Sequence, residues 1–379
     1  ALAFARLTYD EKLEYCFRPE EIDGPDAAAW ADINAHLGTT AASLAELVRE
    51  LGQKRFGRVP RVGDAFCGGG SIPFEAARIG CEAYGSDLNP VAALLTWAAL
   101  HIVGGGPEVA AQVRAAQERV WAAVDRQITS WGIEHETDAL PEDEWRQLAV
   151  AVERGALTPE RVALRVRRAD AYLYCAEVRC PETGWMVPLA PSWVIGEKTR
   201  TVAKLIPDEA ARRYRLEIHS GASDEEMRLA KESGTAKDGS LVHPRAQHPT
   251  PIALLRRQGA RVPGETYHEA GLRLWTNDDV MPRPDDVFQE RLYCIRWVET
   301  WEETNENGER TLVTERRYAT PTEADFARER RVLELLRERF AGWQRDGFLP
   351  SRRIEPGYNT EQPIRERGWT HWHHLFNPR

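Results

Sequence analysis

The sequence predicts an α/β protein in which the front of a doubly wound parallel sheet is followed by a β-rich module. Three observations carry this reading. A strand-like run over 59–66 ends in a glycine turn that opens a helix. A second short strand ends at an acidic residue, Asp87, just before another helix. From Arg161 onward, helical periodicity gives way to short strands separated by Pro and Gly.

Each element has its own signal. Within 41–56, Leu44, Leu47, Val48 and Leu51 recur at helical spacing and Gly57 stops the helix. The run Val59-Pro60-Arg61-Val62-Gly63-Asp64-Ala65-Phe66 reads as a strand entering a turn. Ser71 is expected to cap the next helix, whose Ile72, Ala76 and Ile79 share a face, with Pro73 in its first turn and Gly80 as its stop. Glu82 to Ser86 forms the second strand. Asn89 caps the following helix, Pro90 opens it and Val91 to Leu100 fill it. Val109, Val113, Val120, Val124 and Ile128 predict a long amphipathic helix from Pro107 to about Trp131. The runs 171–175 and 214–218 are strand-like, turns punctuate the chain up to about Thr320, and Asn305-Glu306-Asn307-Gly308 joins two strands as a hairpin. Helix returns over 322–343, on Phe326, Val332, Leu335, Leu336 and Phe340. The expected organisation is a ligand-binding half with N-terminal helices over 1–160, a β-rich insertion over 161–320, and a helical segment over 321–379.

Composition narrows the class. The chain has 379 residues, 42% hydrophobic and 29% charged, long enough for roughly two to three domains. No run reaches the roughly 18 apolar residues of a membrane span, the best candidate, 91–103, being broken by His101. Ala1 to Arg6 lack the layout of a signal peptide, and a cytoplasmic location is expected. The net charge of −9 argues against holding nucleic acid by bulk charge alone. Six scattered cysteines fit reduced thiols better than a disulfide framework. Thirteen Trp residues, concentrated after residue 120, are expected to serve packing rather than base stacking.

The strongest local signal is Asp64-Ala65-Phe66-Cys67-Gly68-Gly69-Gly70-Ser71 followed by Ser86-Asp87-Leu88-Asn89-Pro90. Glycines between strand and helix let backbone pass close under a ligand, the helix start offers N–H groups, and Asp87 would accept ribose hydroxyls. A dinucleotide fingerprint counted from Gly68 puts Pro73 where a third small residue is needed, and no lysine stands where a phosphate loop requires one. S-adenosylmethionine, which has no pyrophosphate, fits best. Asp64, Phe66, Gly68, Gly70, Asp87 and Asn89 are the expected cofactor-binding residues.

Asp64 to Ser71 continued by Ile72-Pro73-Phe74-Glu75-Ala76, with Ser86-Asp87-Leu88-Asn89-Pro90-Val91-Ala92, resembles the methyl-donor motifs of adenine-specific DNA methylases that carry a DUF1156 region and a zinc-ribbon-like insertion. Cys180-Pro181-Glu182-Thr183-Gly184-Trp185 with Val187-Pro188-Leu189, and Gly368-Trp369-Thr370-His371-Trp372 with Leu375-Phe376-Asn377-Pro378-Arg379, resemble further stretches of that family, in its branch associated with anti-phage defence loci. The resemblance implies a class I S-adenosylmethionine-dependent methyltransferase (Rossmann-like) sheet and N6-adenine methylation of duplex DNA, with other defence-system subunits as partners. Two departures stand out. The family's Asp-Pro opening is Asp64-Ala65 here, and the Pro-Pro-aromatic loop that holds an extruded adenine is absent, since the chain has no Pro-Pro pair. In the family that loop lies beyond the segment resembling 368–379. The chain is therefore expected to be an internal fragment of a longer enzyme, inactive alone, with helices under way at Ala1 and at Leu375. The rival expectation is a non-catalytic DNA-binding or scaffold subunit of a defence complex. No catalytic residue is assigned.

Other candidates read more plainly. Cys175, Cys180, His243 and His248 invite zinc, but without paired Cys-x-x-Cys knuckles a degenerate, metal-free ribbon is expected. His371, His373 and His374, beside Trp369 and Trp372, are expected to cap and pack a helix. Cys67 is expected to line the donor pocket, since the Pro-Cys of cytosine C5 chemistry is missing. Arg161, Arg165, Arg167 and Arg168 offer phosphate contacts, whereas Arg328, Arg330, Arg331, Arg337 and Arg339 alternate with acids as on a solvated helix face.

Overall fold

The computed structural model describes residue 8 and residues 25–258, 272–304, 308–355, 357–358 and 360–376. The chain is mixed α/β and divides into two compact units, Ala1–Ala122 and Ala123–Arg379. Among the described residues, no single helix is long and apolar enough to cross a membrane.

The first unit is built on a parallel β–α–β arrangement. Helix α1 (Ala27–Leu37) precedes α2 (Leu44–Phe56), which Ser43 caps through the Glu46 N–H and Gly57 ends in the left-handed region at φ 68°. Strand β1 (Arg61–Asp64) leads through the glycine turn into α3 (Ser71–Arg78) and back to β2 (Glu82–Gly85), parallel to β1 with Asp64 opposite Gly85. Close packing explains two glycines. A Cβ at Gly80, where φ is +95°, would lie 2.3 Å from the Ala45 carbonyl oxygen, and one at Gly52 would lie 2.3 Å from Pro60 Cδ. Helix α4 (Pro90–Ala98) starts as expected, with Asn89 capping the Val91 N–H at 3.0 Å and Pro90 in its first turn. It buries Ala92 and Thr96 and leaves Val91, Leu94, Leu95 and Trp97 exposed.

Two details correct the sequence reading. Ser71 does not cap α3: Gly70, at φ +83°, occupies the cap position with no side-chain hydrogen bond, because the left-handed residue ends the turn one position earlier. The α-helix after Asn89 stops at Ala98 and continues as a π-turn over Ala99–Val103. Gly104 and Gly105 then run so close to the Leu100 and His101 carbonyls that a Cβ at either would fall within 2.5 Å of one. The predicted long helix is α5 (Gly106–Trp131).

The second unit contains α6 (Glu142–Glu153), α7 (Pro159–Ala163) and then the strand-rich stretch: β3 (Arg168–Arg179), β4 (Met186–Leu189), β5 (Val194–Gly196), β6 (Thr201–Asp208), β7 (Arg213–His219), α8 (Asp224–Glu232), β8 (Ala236–Lys237), β9 (Ser240–Leu241), β10 (Thr250–Pro251), α9 (Ile252–Gln258), β11 (Phe288–Thr304) and β12 (Arg310–Ala319). Seven strands form one sheet in the order β12-β11-β3-β4-β7-β6-β5, antiparallel except at β4–β7, where the parallel pairing is a single residue pair, Met186 with Arg213. Helix α10 (Glu323–Arg345) follows, capped reciprocally by Thr322 and Asp325, and α11 (Glu361–Arg367) comes after it. β11 and β12 form the predicted hairpin, paired from Ile295–Ala319 to Thr304–Arg310. Its turn residues 305–307 and the expected helix at Ala1–Arg6 lie outside the described residues. The helix expected to start at Leu375 does not start there: Leu375 ends a 3₁₀ turn and Phe376 is extended, at φ −106° and ψ 136°, while residues 377–379 lie outside the described residues.

The core of this unit uses Trp185, Val187, Cys180, Tyr214 and Leu241 in one cluster and Trp193, Val202, Leu216 and Ala230 in another. Trp185, Trp193, Trp275 and Trp297 are buried, so packing is what these rings do. Beside the thin β4–β7 junction lies a clamp. Glu177 of β3, fully buried, accepts hydrogen bonds from Arg213 of β7 and, at 2.6 Å, from Nη1 of Arg291 in β11, which also donates to the Tyr214 carbonyl.

Candidate functional site

The site assembled from the predicted residues lies entirely in the first unit. Parallel strands deliver their following loops to the same sheet edge, so the turn after β1 meets the turn after β2. The Cys67 N–H donates to the Ser86 carbonyl at 3.0 Å and the Ser86 N–H to the Asp64 carbonyl at 2.9 Å, which continues the strand pairing into the loops. Beyond them, the Gly68 N–H donates to Asp87 Oδ2 at 2.9 Å, and Asp87 Oδ1 accepts the Asn89 N–H at 2.8 Å. Asp64 Oδ1 closes its own turn by accepting the Phe66 N–H at 3.1 Å.

The electrostatics follow from these bonds. The N–H groups of Asn89 and then Gly68 hold the Asp87 carboxyl below its usual range. A carboxylate offers about four lone-pair sites, of which these bonds take two. Asp87 is half-buried, while Phe66 of the glycine turn and Leu88, next to Asp87 in sequence, are among the most exposed apolar side chains.

The three glycines differ in what demands them. Gly68 (φ +51°) and Gly70 (φ +83°) adopt backbone that side chains disfavour, and a Cβ at Gly70 would lie 2.8 Å from Thr96 Oγ1 and 3.0 Å from Thr96 Cα. Gly69 has no positive φ and open space where its Cβ would be. Gly70→Ala is therefore expected to lower the stability of this unit by about 1–3 kcal/mol, and Gly69→Ala to leave it nearly unchanged, as urea unfolding will show.

Thr96 is the residue that sequence reasoning missed. It is buried beneath the turn, with its hydroxyl donating to Cys67 Sγ at 3.1 Å. The available signal was one hydroxyl in the apolar run 90–100. Cys67 is buried under the loop, so it supports the turn from below. Asn89 spends its side chain on the α4 cap.

Candidates in the second unit resolve differently. His243 is buried with Nδ1 3.2 Å from Thr183 Oγ1 and Nε2 3.0 Å from Tyr214 Oη, so two hydroxyls occupy both ring nitrogens. Burial pushes the Cys175 thiol up to about 12, Cys180 sits in the core cluster, and His248 is exposed. Among the described residues no three His, Cys, Asp or Glu side chains are placed to hold a metal ion. Arg161, Arg165, Arg167 and Arg168 pair with Glu302, Glu144, Glu136 and the Glu134–Asp125 couple. Arg328 departs from the solvated-face expectation: it is largely buried between Asp138 and Asp325, its guanidinium 5.4 Å from the Trp297 ring centre. His371, His373 and His374 cap and pack a 3₁₀ turn over Trp372–Leu375 rather than an α-helix.

Compared with known proteins, the chain matches no family model, no curated protein and no solved structure.

Proposed function

We propose that the first unit binds S-adenosylmethionine and is the donor-binding part of an N6-adenine DNA methyltransferase, with duplex DNA as substrate and an anti-phage defence or restriction-modification-like setting. The observation that carries the reading is the hydrogen bond from the Gly68 N–H to Asp87 Oδ2, which joins the glycine turn and the acidic strand end into one loop surface. Gly69 supports it, because neither its backbone nor its packing asks for glycine and a closely approaching ligand would. The residues present suit the donor: Asp87 keeps acceptor sites for ribose hydroxyls, Gly68 and Gly70 shape the bend, and Asp64, Phe66 and Asn89 border it. Bound there, S-adenosylmethionine supplies an electrophilic methyl group to an amine. The protein's part is to hold donor and acceptor in line and to exclude water. The apolar, outward side of α4 and the outer edges of the two-stranded sheet, which no other strand among the described residues pairs, fit a class I sheet that further strands would complete.

Calorimetry tests the donor site. The chain is expected to bind S-adenosylmethionine, and Asp87→Ala to weaken binding by about 1.5–3 kcal/mol, roughly ten- to a hundredfold. No binding by the parent chain, or equal binding by both, refutes the reading. Because the sequence has no Pro-Pro-aromatic loop, the 379-residue chain alone is expected to transfer no tritium from labelled donor to unmethylated genomic DNA. That same absence favours the second reading, a non-catalytic DNA-binding or scaffold subunit. A longer chain that contains such a loop and methylates adenine decides for the enzyme, and label incorporated by the 379-residue chain places the acceptor chemistry elsewhere.

A further inference from the structure

Residues 368–376 of the second unit are threaded between two other segments. On one side the Trp275 N–H donates to the Gly368 carbonyl at 2.8 Å and the Thr370 hydroxyl donates to the Trp275 carbonyl. On the other, the Ile354 N–H donates to the Thr370 carbonyl at 2.8 Å, the Trp372 N–H donates to the Arg352 carbonyl at 3.2 Å, and Arg353 bridges His371. The approach is close: a Cβ at Gly368 would lie 2.1 Å from the Arg273 carbonyl oxygen.

Three imidazoles hold this segment, and their hydrogen bonds fix the protonation state they need. His374 Nδ1 accepts the N–H of Thr370 at 3.2 Å and of His371 at 3.3 Å, while its Nε2 lies 3.1 Å from the Thr276 carbonyl and so carries the proton. His373 Nδ1 faces the Pro350 carbonyl at 3.1 Å. The rings are in mutual contact, with centroids 4.3 Å apart for His373–His374, 5.4 Å for His371–His374 and 5.6 Å for His371–His373. His373 and His374 are 7% and 5% exposed, packed edge-on to Phe340 and Trp275 respectively. The charged groups around them are Asp278, facing His371 and His373, Arg353 beside His371, and Asp279, near His374 but already engaged by Arg273 and Arg283.

We propose that residues 368–376 form a proton-operated latch: neutral His374 donates from Nε2 to the Thr276 carbonyl and accepts at Nδ1 the Thr370 and His371 N–H groups that close the segment's own turn, and protonation at Nδ1 turns that acceptor into a donor facing both N–H groups, so that the turn opens and carries the ring away from Thr276. A proton from solvent takes the lone pair that both backbone N–H groups share, and the new imidazolium lies against two neighbouring rings with Asp279 already neutralised. Burial, and then the charges of His373 and His371, push His374 down to about 4, while an open segment titrates near 6.5. The sign follows: the latch is firm above pH 6.5 and weakens as pH falls toward 4.

Hydrogen exchange with mass spectrometry on the full chain tests this, with rates corrected for the intrinsic pH dependence. Because buried His135, without a hydrogen-bond partner among the described residues, gives the whole unit an acid response of its own, the measurement is made in a His135→Leu background taken as the parent. Between pH 7.5 and 5.0 the protection of residues 369–375 is there expected to fall about thirtyfold, with the β6–β7 amides as the control that does not follow. His374→Asn keeps an oxygen acceptor near the Nδ1 position that does not titrate, and should cut that pH ratio severalfold, to what burial of His371 and His373 leaves, whatever its absolute protection. A parent ratio no larger than that of β6–β7, or an unchanged ratio in His374→Asn, overturns the latch. If the variant does not fold, ¹⁵N spectra of the parent decide: His374 should show the Nε2–H tautomer at pH 7.5 and titrate where protection is lost, and a midpoint elsewhere overturns it equally.

Discussion

Glu177→Ala is expected to destabilise the second unit by about 3–5 kcal/mol, the cost of breaking a buried ion pair from one side. Its carboxylate has no solvent exposure and joins three strands, taking Arg213 from β7 and Arg291 from β11. Among the described residues, truncation leaves the Arg291 guanidinium, itself 17% exposed, with the Tyr214 carbonyl as its one remaining partner. Glu177→Gln, which keeps an acceptor oxygen, should lose clearly less. Urea unfolding followed by tryptophan emission measures both, and a loss below about 1 kcal/mol for Glu177→Ala would remove the clamp from any account of this sheet.

Acid is the second strong lever. His135 is fully buried, its ring tilted against that of Trp145 with centroids 5.6 Å apart, and among the described residues neither ring nitrogen has a hydrogen-bond partner. Burial, reinforced by Arg168 and Arg328, pushes its imidazole down to about 3. A histidine lowered in the folded state binds its proton preferentially when unfolded. Stability is therefore full above about pH 6.5 and declines toward pH 3, by about 2 kcal/mol at pH 5. His135→Leu, which removes both unpaired nitrogens, should flatten this decline. Thermal unfolding at pH 7.5 and 5 in parent and variant tests it, and equal slopes in the two would clear His135 as the cause.

The candidate site was legible because its signals are local. A glycine turn after one strand and an acidic residue after the next need only parallel pairing to meet, and β1–β2 pairing brings Gly68 onto Asp87. Asn89-Pro90 marked a helix start by chemistry within two residues, the hairpin followed from its Asn-Gly turn signal, and the long helices followed from periodicity. Ser71 misled for an equally local reason: a left-handed Gly70 can end a turn without any side chain, so the serine beside it was not needed. What stayed hidden depends on distant partners. Thr96 reaches Cys67 across 29 positions, and Glu177 reaches Arg291 across 114. Nothing near Glu177 in sequence distinguishes it from a surface glutamate on alternating strand positions.

The single-pair junction between β4 and β7 bears on the order in which this sheet assembles. On either side of it lie pieces that close over short loops: β6 with β7, register Asp208 to Arg213, and β11 with β12, register Thr304 to Arg310. Such hairpins form early because little chain entropy is lost in closing them, whereas pairing β11 with β3 must close a loop of more than a hundred residues. Folding should thus proceed as two preformed ribbons that meet late, with β4 too thin to guide them. The Glu177 clamp, drawing on β3, β7 and β11 at once, can exist only after that meeting. Removing it should accelerate unfolding while leaving the refolding rate nearly untouched.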